Sequence, residues 1–170
     1  MVNQQEVLDK AIDFAENILR PQASEFDRKE ELPQEIIDHL AQEGFLGATI
    51  PPEYGGLGLD PLNYGKLTEI IGKACCSTRT LLTVHTSIVG ETLQKIAKPE
   101  QKKRYLPDLA RGNKLWCFAL SEPERGSDAN SVKTQYEQKK DRFILNGKKK
   151  WISFGCKADY FIVIASDNGT

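Results

Sequence analysis

Phe118-Ala119-Leu120-Ser121-Glu122-Pro123-Glu124-Arg125-Gly126-Ser127-Asp128 and Trp151-Ile152-Ser153-Phe154-Gly155 are the two segments whose residue types and order can do chemistry. Each runs from apolar residues to a small hydroxyl and then to a glycine. Hydroxyls on an apolar wall supply a few directed hydrogen bonds inside a flat, partly dry slot. In the first segment, Ser-Glu-Pro ends strand pairing and exposes the Ser121 hydroxyl at a sheet edge. Gly126 lets backbone come close to a ligand, and Ser127 and Asp128 can cap the short segment that follows, turning its N–H groups toward an anion or a carbonyl. The same pattern also fits a strand, a Pro-Gly turn and a cap with no ligand. Pattern alone leaves both readings open.

Other reactive residue types point to little chemistry. Cys75, Cys76, Cys117 and Cys156 form no Cys-x-x-Cys pair, and His39 and His85 stand at no ligand spacing to them. Structural thiols in a reducing compartment, without a metal, are expected. His85 either lines a pocket or is a satisfied core histidine. The formal net charge of −1 gives no reason to expect nucleic acid or an anionic membrane as partner. Lys148-Lys149-Lys150 is the one basic run and reads as a solvated strand after a turn. Met1 to Lys10 has no apolar core of a secretory signal, and no apolar run approaches the roughly 20 residues of a membrane span, so a cytoplasmic location is expected.

These segments need elements to position them. Val7, Leu8, Ala11, Ile12, Ala15, Ile18 and Leu19 recur at helical spacing, with an interruption or kink expected at Pro21. Pro33 opens a second helix in its first turn, and Gly44 ends it. Pro51 to Gly58 is a loop whose glycines suggest positive φ. A third helix fits Pro61 to Ala74. A fourth fits Thr78 to about Lys95, with Ser77 as cap and Leu81, Leu82, His85, Ile88 and Val89 facing inward. A fifth runs from Pro99 to about Ala110 and is closed by Gly112. Beyond Gly112 the period changes to two. Leu115–Ser121 reads as a strand, and Thr134–Gln138 with Phe143–Leu145 as a hairpin around Lys139–Arg142. Asn146-Gly147 reads as a two-residue turn into a strand at Lys149–Ser153. Asp159–Ser166 is apolar on both faces and so reads as a central strand. The fold class is α+β: an all-α domain over residues 1–112, then the first strands of an incomplete antiparallel β-barrel domain over residues 113–170. Open strand edges and the closing turn residues Asp167-Asn168-Gly169-Thr170 suggest a fragment of a longer protein.

The two opening segments also carry a family likeness. Residues 118–128 resemble the aromatic-x-apolar-Thr/Ser-Glu-Pro-x-x-Gly-Ser-Asp segment of the flavin-dependent acyl-CoA dehydrogenases, and residues 151–155 resemble their Trp-Ile-Thr/Ser-x-Gly. Ile50–Gly58 is similar to that family's Pro-x-x-Tyr-Gly-Gly-x-Gly loop. Lys98–Gly112 is similar to its Glu-Gln-Lys-x-x-Tyr-Leu-Pro-x-Leu-Ala-x-Gly segment. Four motifs in the correct order make the likeness specific, and it covers the whole chain.

The resemblance implies FAD as cofactor. Phe118, Ala119, Leu120 and Ser121 would run beside the isoalloxazine ring, with the hydroxyl of Ser121 on the ring edge. Gly126 belongs to the same cofactor segment. Ser127 would contact both cofactor and substrate thioester arm, and Trp151, Ile152 and Ser153 would pack on and hydrogen-bond the flavin. Donors at that edge stabilise the reduced ring. Arg125, standing with Glu124 where many members have Gly-Ala, either meets a phosphate of the acyl carrier or lies in solvent. Phe154 stands where Asn is frequent. Residues 74–85 resemble a subgroup whose acyl group rides on a carrier protein. The implied reaction is α,β-dehydrogenation of an acyl-CoA or acyl-carrier-protein thioester, with electron-transfer flavoprotein or another acceptor as partner and a homo-oligomer, dimer or tetramer, as the intact assembly. The family's carboxylate base matches no residue here, so no catalytic residue is expected in this chain, and Glu122 reads as structural. Two other readings stay open: a non-catalytic docking module, and an oxidase or monooxygenase of the same fold.

Overall fold

Apolar residues spaced by three and four build the first helix of the computed structural model, which describes residues 3–167. Helix α1 (Gln4–Phe14) is capped by the Asn3 side chain and buries Val7, Leu8, Ala11 and Phe14. A wide π-helical turn, Ala15–Leu19, joins it without a break to α2 (Arg20–Lys29). The expected interruption at Pro21 does not occur. Pro21 enters in the first turn of α2, directly after the wide turn in which the Arg20 N–H bonds back to the Ala15 carbonyl, so the ring and the missing N–H are absorbed. Pro33 sits at the cap position of α3 (Gln34–Gln42), one residue before the expected first turn, and Gly44 ends that helix with φ 75°. Phe14 stacks flat on His39 at 4.2 Å and tilts against Phe45 at 6.3 Å.

The loop over residues 51–58 carries one 3-10 turn, Pro52–Tyr54, and left-handed glycines at 55 and 58, in line with its composition. Helix α4 (Pro61–Ala74) has proline at its first position and an Asp60 cap that accepts from the Asn63 N–H at 2.9 Å. Helix α5 (Cys76–Leu82) runs through a second wide turn, Thr83–Gly90, into α6 (Glu91–Ile96). Its start differs from expectation. The extended residue is Cys75, which is buried, and Ser77 lies inside the helix. Leu81, Leu82, His85 and Val89 are buried as their spacing requires, but Ile88 is 39% exposed, because the wide turn rotates the face that a regular helix would have kept inward. Helix α7 (Pro99–Ala110) ends before Gly112 at φ 70°.

The described residues fall into two units that divide between Leu115 and Trp116. The second holds five strands: β1 (Trp116–Ala119), β2 (Gln135–Lys139), β3 (Arg142–Asn146), β4 (Tyr160–Val163) and β5 (Ser166–Asp167). β2 and β3 form the expected hairpin, turning at Lys140-Asp141 with Lys140 left-handed. The strands form two sheets: β1 pairs in parallel with β4, and in the order β3-β2-β5 the antiparallel hairpin is joined by β5 in parallel with β2.

Three strand expectations need correction. Lys149–Ser153 is not a strand, because Trp151 within it takes left-handed backbone that an extended chain cannot hold, and Phe154 just after it does the same. Asn146-Gly147 is not a left-handed turn; β3 ends there, and the hairpin's left-handed residue is Lys140. Asp159–Ser166 divides into β4 and β5. Among the described residues β4 bonds to β1 alone, with Tyr160 and Phe161 about two-fifths exposed, so it is not central in this chain. The closing turn residues 168–170 lie outside the described residues. Among the described residues no helix is long and apolar enough to cross a membrane.

Candidate functional site

Strand β1 carries the first segment into place. Trp116, Cys117 and Ala119 are buried and Phe118 is half-buried, so both faces of the strand are largely covered. Leu120 and Ser121 continue half-buried past the strand's end. The second segment lies against them. The Lys150 N–H donates to the Ser121 carbonyl at 2.9 Å, and the Cys117 thiol donates to the Ser153 carbonyl at 2.8 Å. Burial pushes the Cys117 thiol up to about 11, so it stays protonated and keeps that donor at neutral pH. The segments that pattern reading singled out separately are thus joined side by side.

Glu122 organises the junction. Its carboxylate Oε1 accepts from the Lys149 ammonium at 2.8 Å and from the Thr134 N–H at 2.9 Å, while Oε2 accepts from the Lys133 N–H at 2.7 Å. The Lys149 ammonium also donates to the Leu120 carbonyl at 2.9 Å. The Lys149 hydrogen bond, helped by the backbone donors, holds the Glu122 carboxyl far below the usual carboxylate range. The structural role expected of Glu122 is therefore specific: it is the hub of a buried network. Sequence reading had no means of pairing it with Lys149, which is remote in the chain.

After Glu122 the chain makes a tight turn. The Glu122 N–H bonds the Arg125 carbonyl at 2.7 Å, and the Arg125 N–H returns to Glu122 at 3.3 Å. Gly126 and Ser127 follow in exposed chain. A Cβ at Gly126 would meet nothing within 4 Å, so this chain's own packing does not demand glycine there. Arg125 lies 3.4 Å from the Asp128 carboxylate, which also accepts from the Ser131 hydroxyl. Asp128 therefore spends its side chain on these partners and does not cap the N–H groups of the Ala129–Ser131 turn.

In the second segment Trp151 is 80% exposed with φ 61°, and the Lys150 ammonium lies 4.4 Å from its ring centre. Phe154 has φ 59°, and Gly155 next to it does not take the left-handed region. Two bulky residues held in that region are backbone outliers of the kind that gathers at ligand sites. Ile152 is half-buried and Ser153 exposed. The Ser121 and Ser153 hydroxyls make no hydrogen bond to any other described residue.

His85 is a core residue of the helical unit. It is fully buried, its Nε2 donates to the Leu109 carbonyl at 3.0 Å, and desolvation pushes its pKa down to about 4. Among the described residues no group of three His, Cys, Asp or Glu side chains converges as a metal site.

Comparison with known proteins adds an independent line. Residues 2–113 match the family described as "Acyl-CoA dehydrogenase, N-terminal domain", and residues 117–170 match "Acyl-CoA dehydrogenase, middle domain". A short-chain specific acyl-CoA dehydrogenase of Clostridium acetobutylicum is 34% identical over 171 residues, covering 100% of this chain and 45% of that protein. A 3-(aryl)acrylate reductase of Clostridium sporogenes is 40% identical over 163 residues, covering 95% of this chain and 43% of that protein. Among solved structures, a glutaryl-CoA dehydrogenase of Mycobacterium smegmatis in complex with FADH2 superposes with a TM-score of 0.90 at 27% identity, covering 99% of this chain and 43% of that one. The chain spans less than half the length of these relatives.

Proposed function

The chain belongs to the acyl-CoA dehydrogenase family, and from that premise we propose that the protein containing it is an FAD-dependent oxidoreductase acting on the Cα–Cβ bond of an acyl thioester. The observation that carries this reading is the junction of the two segments, where Lys150 bonds Ser121 and Cys117 bonds Ser153 through their carbonyls, next to the exposed Trp151. An exposed indole, with two serine hydroxyls that have no partner among the described residues on the joined segments, fits a flat, hydrogen-bonding ring. The structure of a relative with FADH2 supports the same ligand.

Phe118 to Ser121 would line the flavin, and Ser121 and Ser153 would donate to its polar edge. Trp151 and Ile152 would cover it, with Gly126 and Ser127 at the margin. When bound, the flavin supplies a two-electron acceptor. The residues of this chain hold and orient it and exclude water from one side. Ser127 and Arg125 would face the substrate's thioester arm and its phosphates, Arg125 carrying the charge that an anionic acyl carrier needs.

The five carboxylates with a clearly shifted pKa do not suit the general base. A base for a carbon acid needs a pKa raised toward neutrality. The clearly perturbed carboxylates, Glu16, Asp60, Glu69, Glu122 and Glu124, are all lowered, by their bonds to Arg20, to Asn63, to Lys73, to Lys149 and to Lys133 respectively. We take the base to lie outside these residues, as the family resemblance implies.

The likeness to a 3-(aryl)acrylate reductase favours a second reading, in which the same site runs the reaction toward saturation. One experiment separates the two. The intact protein is purified and its flavin absorbance followed anaerobically, first with a saturated acyl-CoA and then, after chemical reduction, with the unsaturated one. Bleaching by the saturated thioester supports dehydrogenation. Reoxidation by the unsaturated one alone supports the reductase. A protein that binds no FAD after reconstitution refutes both and returns the docking-module reading, and reoxidation by air within a turnover supports the oxidase.

A further inference from the structure

Glu122 and Lys149 form an ion pair at 2.8 Å whose side chains are 4% and 12% exposed. Taking two charges out of water is costly, and a pair of well-packed apolar residues fills such a space with equal or greater stability. What an ion pair provides that an apolar pair does not is directed geometry. Here the directions are specific. The carboxylate takes the consecutive N–H groups of Lys133 and Thr134, and the ammonium takes the Leu120 carbonyl. Three stretches of chain, residues 120–122, 133–134 and 149–150, converge on one pair of charges.

The neighbouring contacts repeat the design. Gly147 crosses Thr134 so closely that a Cβ there would lie 2.6 Å from the Thr134 Cα, so any side chain at 147 would lift the segment that leads to Lys149. One residue past Lys149, the Lys150 N–H closes on the Ser121 carbonyl. The register between the two segments is therefore set by the Glu122–Lys149 pair, the Gly147–Thr134 crossing and the Lys150–Ser121 bond.

We propose that the Glu122–Lys149 pair is a positioning clasp that fixes the register of the Ser121 and Ser153 segments, and so the placement of their hydroxyls toward the flavin. The proposal rests on the flavin reading above for its function, but its structural half stands on this chain alone. Glu122 and Lys149 are positioning residues. Their charges are spent on each other and on backbone, and the clasp tunes the site only through the donors it aligns.

The test uses the full-length protein and the variants Lys149→Met, Lys149→Arg and Gly147→Ala. Hydrogen exchange of the Lys150 amide reads the register with or without cofactor. The FAD dissociation constant, the visible spectrum and the flavin midpoint potential read the consequence. Lys149→Met is expected to lose Lys150 protection, to weaken FAD binding at least about tenfold, and to shift the flavin bands and potential. Gly147→Ala is expected to do the same with the charges intact, and Lys149→Arg to restore part of the binding. Unchanged Lys150 protection in Lys149→Met overturns the clasp. Lost protection with unchanged affinity, spectrum and potential overturns its role at the site and leaves it as a fold contact. A wild-type protein that takes up no FAD refutes the function proposed above, while the exchange measurement still decides the clasp.

Discussion

His85 predicts how the helical unit responds to acid. Its imidazole is fully buried and pushed from an ordinary value of 6.5 to about 4, because desolvation opposes the charged form more than the Leu109 carbonyl supports it. In the unfolded chain the histidine takes up a proton as the pH falls below about 6.5, while the folded one refuses it until about pH 4. The unfolded state thus binds more protons over that window, and stability, complete above it, is lost as the pH falls through it. At 1.36 kcal/mol per pH unit, the gap between 6.5 and about 4 corresponds to a loss of about 3 kcal/mol, levelling off where the folded imidazole protonates. Glu16, Asp60 and Glu69 in the same unit are held low and also lose stability in acid, so the wild-type curve alone does not isolate the histidine. The informative quantity is the difference from His85→Gln, which keeps a donor for Leu109 and does not titrate. Urea unfolding followed by the helical circular-dichroism signal, at about pH 7 and about pH 4.5, should show the wild type losing roughly 2 to 3 kcal/mol more than the variant. Equal losses would refute the assignment of a buried, neutral His85.

Three further outcomes are open to simple assays. Gly112→Ala would force a Cβ to 2.6 Å from the Ala41 Cβ at φ 70°, and should cost about 2 kcal/mol in urea unfolding of the helical unit. Phe14→Ala removes a ring that is 1% exposed and stacked on His39, and should cost about 3 to 5 kcal/mol in the same measurement. Trp151→Ala, at a side chain 80% exposed, should change thermal unfolding by no more than about 0.5 kcal/mol while lowering the flavin retained by the intact protein. A large stability loss without change in flavin would contradict the ligand-covering role of the indole.

Helix ends were legible wherever a single residue settles the backbone. Pro61 and Pro99 open α4 and α7 because their missing N–H groups cost nothing in a first turn, and Gly44 and Gly112 follow the ends of α3 and α7 with φ that other residues resist. The wide turns at Ala15–Leu19 and Thr83–Gly90 left no mark, since one extra residue in a turn preserves local composition and shows only in what faces inward downstream, as at Ile88. Lys149–Ser153 reads as a strand because alternation is a property of neighbours, whereas the left-handed φ of Trp151 and Phe154 is imposed by surroundings that local sequence does not contain. The two segments were legible as separate motifs. Their joining was not, because it depends on Glu122 meeting Lys149 and on Lys150 meeting Ser121, pairings that composition and periodicity do not encode.

The Cys117–Ser153 hydrogen bond has a practical consequence. A thiol that holds its proton to about pH 11 is chemically silent toward alkylating agents at neutral pH, whereas Cys76 and Cys156 are exposed to them. Cys117 is therefore a built-in alarm. Its silence marks a junction that is shut, and the first label to appear on it times the moment at which the two segments part.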